Sequence, residues 1–402
     1  MSKKILIVTE VFYPEDFVIN DLVSDWIDAG FELEILTRVP SYPKGVVFPG
    51  FKNRIFQNSS FKGAKVNHIP FFPGYQKNSL KKLLNYFNFI IYSFWFLVFK
   101  GRNFETVFIY QTGPLSNAFS VTILKKIFKW RTIIWSQDLW PETVYAYGIK
   151  ETKITRLLLN WLVKFIYKRC DIILVSCRGF IPRIKKYTPD AYFEWIPNWS
   201  LTESKGDEKG VELPGKFNFT FAGNVGKVQN LDMLVQGFKE VNKNYSNVYF
   251  NIIGDGSYLL ELKERVRSEE INNIIFHGRK AVELMPSYFA ASDVLVLSLV
   301  DSPIYEIMIP SKFQAYLNAG KPIFSAISGE LNALVNDFDI GYTAIPNDVN
   351  SIKTGFESFL NMDSLKLKKL SVNSKELEKT YFDKQKTISR LSEILLKDAN
   401  RN

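Results

Sequence analysis

A lysine at a helix entrance is the first place in this chain where chemistry can be read. Ile304–Phe324 reads I-Y-E-I-M-I-P-S-K-F-Q-A-Y-L-N-A-G-K-P-I-F and follows the apolar strand D-V-L-V-L-S-L at Asp293–Leu299. Pro310 and Ser311 read as the entry of a helix, with Ser311 placed to cap its first free N–H groups. Gly320 stops that helix. Its N-terminus, carrying Lys312, forms a seat for a phosphate at the carboxyl edge of a parallel sheet. The loop A-G-N-V-G-K (Ala222–Lys227) leaves a strand and precedes a helix, so Gly223, Asn224 and Gly226 offer a second seat, with Lys227 as a second cation. Such groups suit a reaction in which a leaving diphosphate gains charge. The plain alternatives are a tight strand-to-helix turn for the glycines and an exposed first-turn lysine for Lys312. On the other half of the chain, D-L-W-P-E follows the strand R-T-I-I-W. Asp138 and Glu142 could bind hydroxyls of a ligand or accept a proton, and Trp140 could stack on a ring. Glu142 as a helix-start carboxylate and Trp140 as core are the structural alternatives.

The elements that must position these groups alternate throughout. K-I-L-I-V, E-L-E-I-L-T, T-V-F-I-Y, R-T-I-I-W and D-I-I-L-V read as strands in the first half, with helices such as Asn20–Ala29 and Leu157–Lys168 between them. F-N-F-T-F-A-G, V-Y-F-N-I-I-G, I-I-F-H-G, V-L-V-L-S and P-I-F-S-A repeat the theme in the second half. Short β-branched and aromatic strands separated by helices imply right-handed βαβ units and parallel sheets, an α/β fold. The 402 residues suit two domains. Their expected bounds are 1–200, a charged and aperiodic linker at 201–215, a second domain at 216–380, and a C-terminal helix at 381–402 that could pack back on the first domain.

Six segments in order resemble bacterial glycosyltransferases of family 4: Tyr13–Leu22, Pro40–Gly45, Trp135–Thr143, Phe221–Leu231, Ile252–Gly256 and P-S-K-F-Q-A-Y-L-N-A-G-K-P-I. The likeness is to the surface-polysaccharide branch that transfers N-acetylated deoxyamino sugars such as N-acetylfucosamine. It implies a GT-B architecture, two Rossmann-like domains with parallel sheets facing across a cleft. It also implies a UDP-sugar donor, retention at the anomeric carbon, and a lipid-linked saccharide acceptor in O-antigen, capsule or exopolysaccharide synthesis. By the same resemblance, F-H-G-R places His277, Gly278 and Arg279 at the nucleotide base, and Gly254 shapes a turn beside it. Glu15, Phe17 and Asn20 fall on a loop that family members bring against phosphate and acceptor. The chain departs from the broader family at a paired-glutamate motif, whose two positions fall on Ile307 and Ala315; Glu306 and Gln314, one register away, are the available substitutes. The usual Arg and Lys after the glycine loop fall on Asn224 and Gln229. A sugar-nucleotide epimerase or a catalytically silent scaffold are the alternative functions.

The charge of +10 is spread along the chain and no motif supports nucleic-acid binding. Leu83–Phe99 carries no charge, is crowded with aromatics, and is flanked by Lys81, Lys82, Lys100 and Arg102. A buried crossover helix, a helix dipping into the inner face of the cytoplasmic membrane, and a true span are the three readings. Cys170 and Cys177 have neither metal nor disulfide-framework spacing, which fits a reducing cytoplasm. Two histidines cannot build a His/Cys metal site, and Asp337-Phe338-Asp339 reads as surface, so a metal-independent reaction without cofactor is expected.

Overall fold

The computed structural model describes residues 4–55, 57–77, 79–146, 149–201 and 210–397. It divides into two compact units, 1–197 with 388–402, and 198–387. The expected linker lies partly outside the described residues, at 202–209.

In the first unit the strands are β1 (Ile5–Thr9), β2 (Leu33–Arg38), β3 (Gln57–Phe61), β4 (Ala64–Ile69), β5 (Thr106–Gln111), β6 (Arg131–Ser136), β7 (Ile172–Val175) and β8 (Tyr192–Trp195). They form one sheet in the order β3-β4-β2-β1-β5-β6-β7-β8, parallel except for β3 against β4. Its helices are α1 (Val18–Asp28), α2 (Ser79–Lys100), α3 (Phe119–Phe128), α4 (Glu142–Ala146), α5 (Lys153–Tyr167) and α6 (Phe180–Lys185). Central strands such as β1 and β5 are buried at every position, because helices cover both faces of the sheet.

Three strands of this unit escape the alternation rule. β3 and β4 form a hairpin turned by Lys62 and Gly63, both at positive φ, and the polar run Q-N-S-S-F is an edge with one side in water. Only two residues separate the pair, so no helix marks them. β8 is a half-exposed edge strand.

The second unit holds β9 (Phe217–Ala222), β10 (Val248–Ile253), β11 (Ile274–Gly278), β12 (Val294–Ser298), β13 (Ile323–Ala326) and β14 (Gly341–Thr343), all parallel, in the order β11-β10-β9-β12-β13-β14. Between and after them come α7 (Leu231–Asn242), α8 (Leu259–Ser268), α9 (Met285–Ala291), α10 (Lys312–Ala319), α11 (Glu330–Asp337), α12 (Val349–Leu360), α13 (Ser364–Leu377) and α14 (Lys384–Leu396). Phe219, Phe238, Phe250 and Phe324 pack around Phe356 in the core, edge to face. From Ile388 onward α14 groups with the first unit: Trp26 Nε1 donates to Ser392 Oγ at 2.8 Å, and the Arg131 guanidinium donates to the carbonyls of Ile394 and Leu395 at 2.6 and 2.8 Å.

α2 is long and apolar enough to cross a membrane by length and composition. It nevertheless connects β4 to β5 of one sheet, and Phe89, Ser93 and Leu97 are buried, which excludes a span without dismantling the sheet. Its opposite side is open: Phe87, Ile91 and Trp95 are each more than half exposed. Both cysteines are buried free thiols.

Candidate functional site

In the second unit, β9 ends at Ala222 and the chain turns through Gly223 at φ 141°. Gly254, at φ 140°, follows β10 so closely that a Cβ there would lie 1.8 Å from the Gly223 carbonyl oxygen. The Gly254 N–H donates to the Gly278 carbonyl at 2.9 Å, joining β11 to the same edge. Only glycine permits this backbone contact. Tyr316 of α10 is buried, and its hydroxyl accepts from the Ala222 N–H at 2.9 Å, pinning α10 to the end of β9. That fixes Lys312 across Gly223, where an added Cβ would meet Lys312 Cε at 2.2 Å.

The Lys312 amine lies 4.0 Å from the centre of the Phe221 ring and pairs with no carboxylate among the described residues. Removal from water pushes its pKa down to about 7. An amine held against a ring and a glycine, without a counter-ion, is the arrangement that an anion would complete.

Other residues expected at this site are placed differently. Ser311 does not cap α10: its backbone is already helical and its side chain makes no capping bond. Gln314 cannot replace a ribose-binding glutamate as it stands. It is buried, and with its amide turned so that the nitrogen faces the Pro310 and Ser311 carbonyls it donates to them at 3.1 and 2.8 Å, bracing the helix start. Glu306 is exposed on a single 3₁₀ turn, and its main chain lies against Gly329. Asn224 and Gln229 hydrogen-bond to each other at 3.3 Å, a neutral pair at the two positions where the resemblance implied cations. Lys227 points away to Glu261 at 3.5 Å on the surface. His277 is committed to the sheet: Nε2 bonds to Asn251 at 2.8 Å, and burial with Lys280 nearby lowers its pKa. Arg279 is exposed. Of the D-x-D string, Asp339 pairs with Lys369 at 2.8 Å.

The first unit gathers a second polar cluster at the carboxyl ends of β2, β1, β5 and β6. Glu10 follows β1, and its carboxylate pairs with Arg38, the last residue of β2. Arg38 also donates to the Tyr75 hydroxyl at 3.0 Å, and Asn117 Nδ2 donates to Glu10 at 3.3 Å. Asp138, after β6, accepts from the Gly113 N–H at 2.5 Å. Burial raises the Asp138 pKa, the Gly113 bond opposes the rise, and the neighbouring Glu10 charge adds to it. A carboxylate tuned upward in this way is a stronger proton acceptor than an ordinary aspartate. Glu10 and Arg38 escape motif reading; the available signal is a charge that abruptly ends each apolar strand, V-T-E and I-L-T-R.

Glu142 opens α4, and its Oε2 is buried without a hydrogen-bond partner. Trp140 is buried, 8% exposed, so it is core and not a sugar platform. Glu15 is likewise corrected. One oxygen accepts from the Ser41 and Tyr42 N–H groups at 2.7 and 2.6 Å and the other from Phe12 N–H at 3.1 Å, so it clamps two loops together. Asn20 donates to the Glu15 carbonyl at 2.6 Å, and Phe17 stands half-buried 5.4 Å from the Tyr42 ring.

Comparison with known proteins follows this geometry. Residues 205–377 match the family described as Glycosyl transferases group 1. WbjE of Pseudomonas aeruginosa, described as a probable glycosyltransferase, is 25% identical over 248 residues, covering 59% of this chain and 61% of that protein. WcaI of Escherichia coli strain K12, whose description assigns it to colanic acid biosynthesis as a glycosyl transferase, is 21% identical over 84% of this chain and 86% of its own. Among solved structures, Anabaena Alr3699/HepE in complex with UDP superposes with a TM-score of 0.71 at 12% identity, covering 98% of this chain and 99% of the other. The fold is GT-B, with two sheets of mostly parallel strands in α/β arrangement. The matches are to glycosyltransferases, one of them described as acting in colanic acid biosynthesis.

Proposed function

We propose that the protein is a retaining glycosyltransferase that moves a sugar, an N-acetylated deoxyhexosamine, from a UDP-sugar to a lipid-linked glycan during surface-polysaccharide synthesis. The observation that carries the donor half is Lys312, a cation without a counter-ion held over Gly223 at the edge of the second sheet. A diphosphate placed there would restore the charge balance and gain the amine as its counter-charge during bond breaking. UDP in the complex of Alr3699/HepE, a protein of like fold, supports the choice of nucleotide. The sugar class and retention rest on the motif resemblance, and the colanic acid role described for WcaI supports a polysaccharide product.

Asp138, with its raised pKa beside Glu10, takes the part of proton acceptor for the incoming hydroxyl, and Arg38 positions Glu10. The reaction is proposed to need no metal, because Lys312 supplies the positive charge that the leaving diphosphate requires. The lipid-borne acceptor puts the enzyme at the inner face of the cytoplasmic membrane.

The deciding experiment is a mass-spectrometric screen of UDP-sugars against a polyprenyl-diphosphate saccharide in detergent micelles, with and without EDTA. Sugar transfer insensitive to EDTA supports the reading. Isomerisation of the donor without acceptor would identify an epimerase, and absence of any UDP binding would identify a scaffold.

A further inference from the structure

Three helices of the first unit share a layer. The β4→β5, β5→β6 and β6→β7 connections all step in one direction across the sheet, so right-handed crossovers put α2, α3 and α5 on the same face. The contacts agree. Ser93 Oγ of α2 donates to Ser120 Oγ of α3 at 2.9 Å, and Phe119 of α3 lies 6.4 Å from the ring of Trp161 and 5.3 Å from that of Phe165 on α5.

The outward side of this layer is apolar where a solvated helix should be polar. On α2, Phe87, Ile91 and Trp95 recur at four-residue spacing, each more than half exposed. Ile127 continues the patch on α3 at 70% exposure, and Leu157 (73%) and Trp161 (55%) continue it on α5. A contiguous exposed patch of this kind marks an interaction surface.

Charge narrows the partner. None of the three helices contains an Asp or Glu. Lys126 and Lys153 are exposed on them and Lys129 immediately after α3, and none of these three makes an ion pair among the described residues. A second copy meeting this face by two-fold symmetry would set cation against cation with no acid between. An anionic bilayer meets both demands: tryptophans suit the headgroup level, and lysines suit the negative surface potential.

We propose that the outer faces of α2, α3 and α5 together form a docking surface for an anionic phospholipid bilayer, lying in its interface without crossing it. Its use rests on the proposed lipid-borne acceptor; its existence does not. α5 is the discriminating element, since a single amphipathic α2 would not need it.

The test is co-sedimentation of the full chain with phosphatidylcholine vesicles, with and without phosphatidylglycerol. Wild type should partition onto the anionic vesicles and release in high salt. The double variant Leu157→Glu/Trp161→Glu should lose at least about tenfold in partition while UDP affinity is unchanged. The charge variant Lys126→Glu/Lys153→Glu, at exposed positions that leave packing intact, should lose the preference for phosphatidylglycerol. Wild-type partition of the α5 variant would overturn the three-helix face, as would a solution dimer that either variant splits. Sugar transfer in detergent micelles is scored separately, so vesicle binding without transfer removes the proposed function and leaves the docking surface standing.

Discussion

At the residue scale, Lys312 is the group whose environment asks for a ligand. Replacing it with Ala should weaken UDP binding by about 1.5–3 kcal/mol, roughly ten- to a hundredfold, by calorimetric titration. Its depressed pKa gives a pH signature. With the free amine at about 7 and an unfolded value near 10.5, bound diphosphate should raise the pKa and draw in a proton. UDP affinity should therefore fall as pH climbs above about 7, by at most about tenfold per unit, and Lys312→Met should be flat over that window. The stability sign is opposite. The unfolded chain binds more protons between those two values, so the ligand-free protein should gain stability as pH rises through the window, and the Met variant should lose that gain. Gly254→Ala drives a Cβ into the Gly223 backbone and should destabilise the second unit by more than about 2 kcal/mol in urea unfolding. Gly223→Ala strains a backbone at φ 141° and its Cβ displaces the Lys312 side chain, so stability and donor affinity should fall together.

At the element scale, α10 is held by its middle rather than by its cap. Ser311 contributes no capping bond, whereas the Tyr316 hydroxyl satisfies the buried Ala222 N–H. Tyr316→Phe removes one oxygen and leaves that N–H unpaired, which should cost about 1–3 kcal/mol. It should also loosen Lys312, so UDP affinity falls without any change to a donor-facing side chain. Ser311→Ala should alter neither quantity measurably. The helix start instead relies on Gln314 folding back on the Pro310 and Ser311 carbonyls. Sequence reading placed this helix correctly between β12 and β13 but assigned its polar residues by spacing and by register against the family motif. Spacing gives the face, and only packing tells whether a polar side chain on that face looks outward or bonds to its own backbone.

At the scale of the whole molecule, the chain end matters to the chain start. Ile388, Leu391, Ile394 and Leu395 are buried in the first unit, and Arg390 forks onto Glu194 of β8. Deleting residues from 388 onward should cost the first unit several kcal/mol of apolar burial. Hydrogen exchange should then show protection lost at β1, α1 and β6 and retained at β9 and β10. Equal loss in both units would show that α14 serves the two alike.

The sequence by itself determined the βαβ alternation, ten of the fourteen strands among the described residues, the two-part organisation, and the places of Gly223 and Asp138 after strands and of Lys312 at a helix start. Those follow from local rules: apolar runs make strands, glycine makes turns, and parallel sheets carry their sites at the carboxyl edge. Tertiary structure alone decided which polar groups remain available. Glu15 looked free and is consumed by three backbone N–H groups, Trp140 looked like a platform and is core, while Glu10 and Arg38 meet only because β1 and β2 lie side by side. Hydrogen-bond satisfaction depends on neighbours distant in sequence, and no single-chain pattern encodes that count.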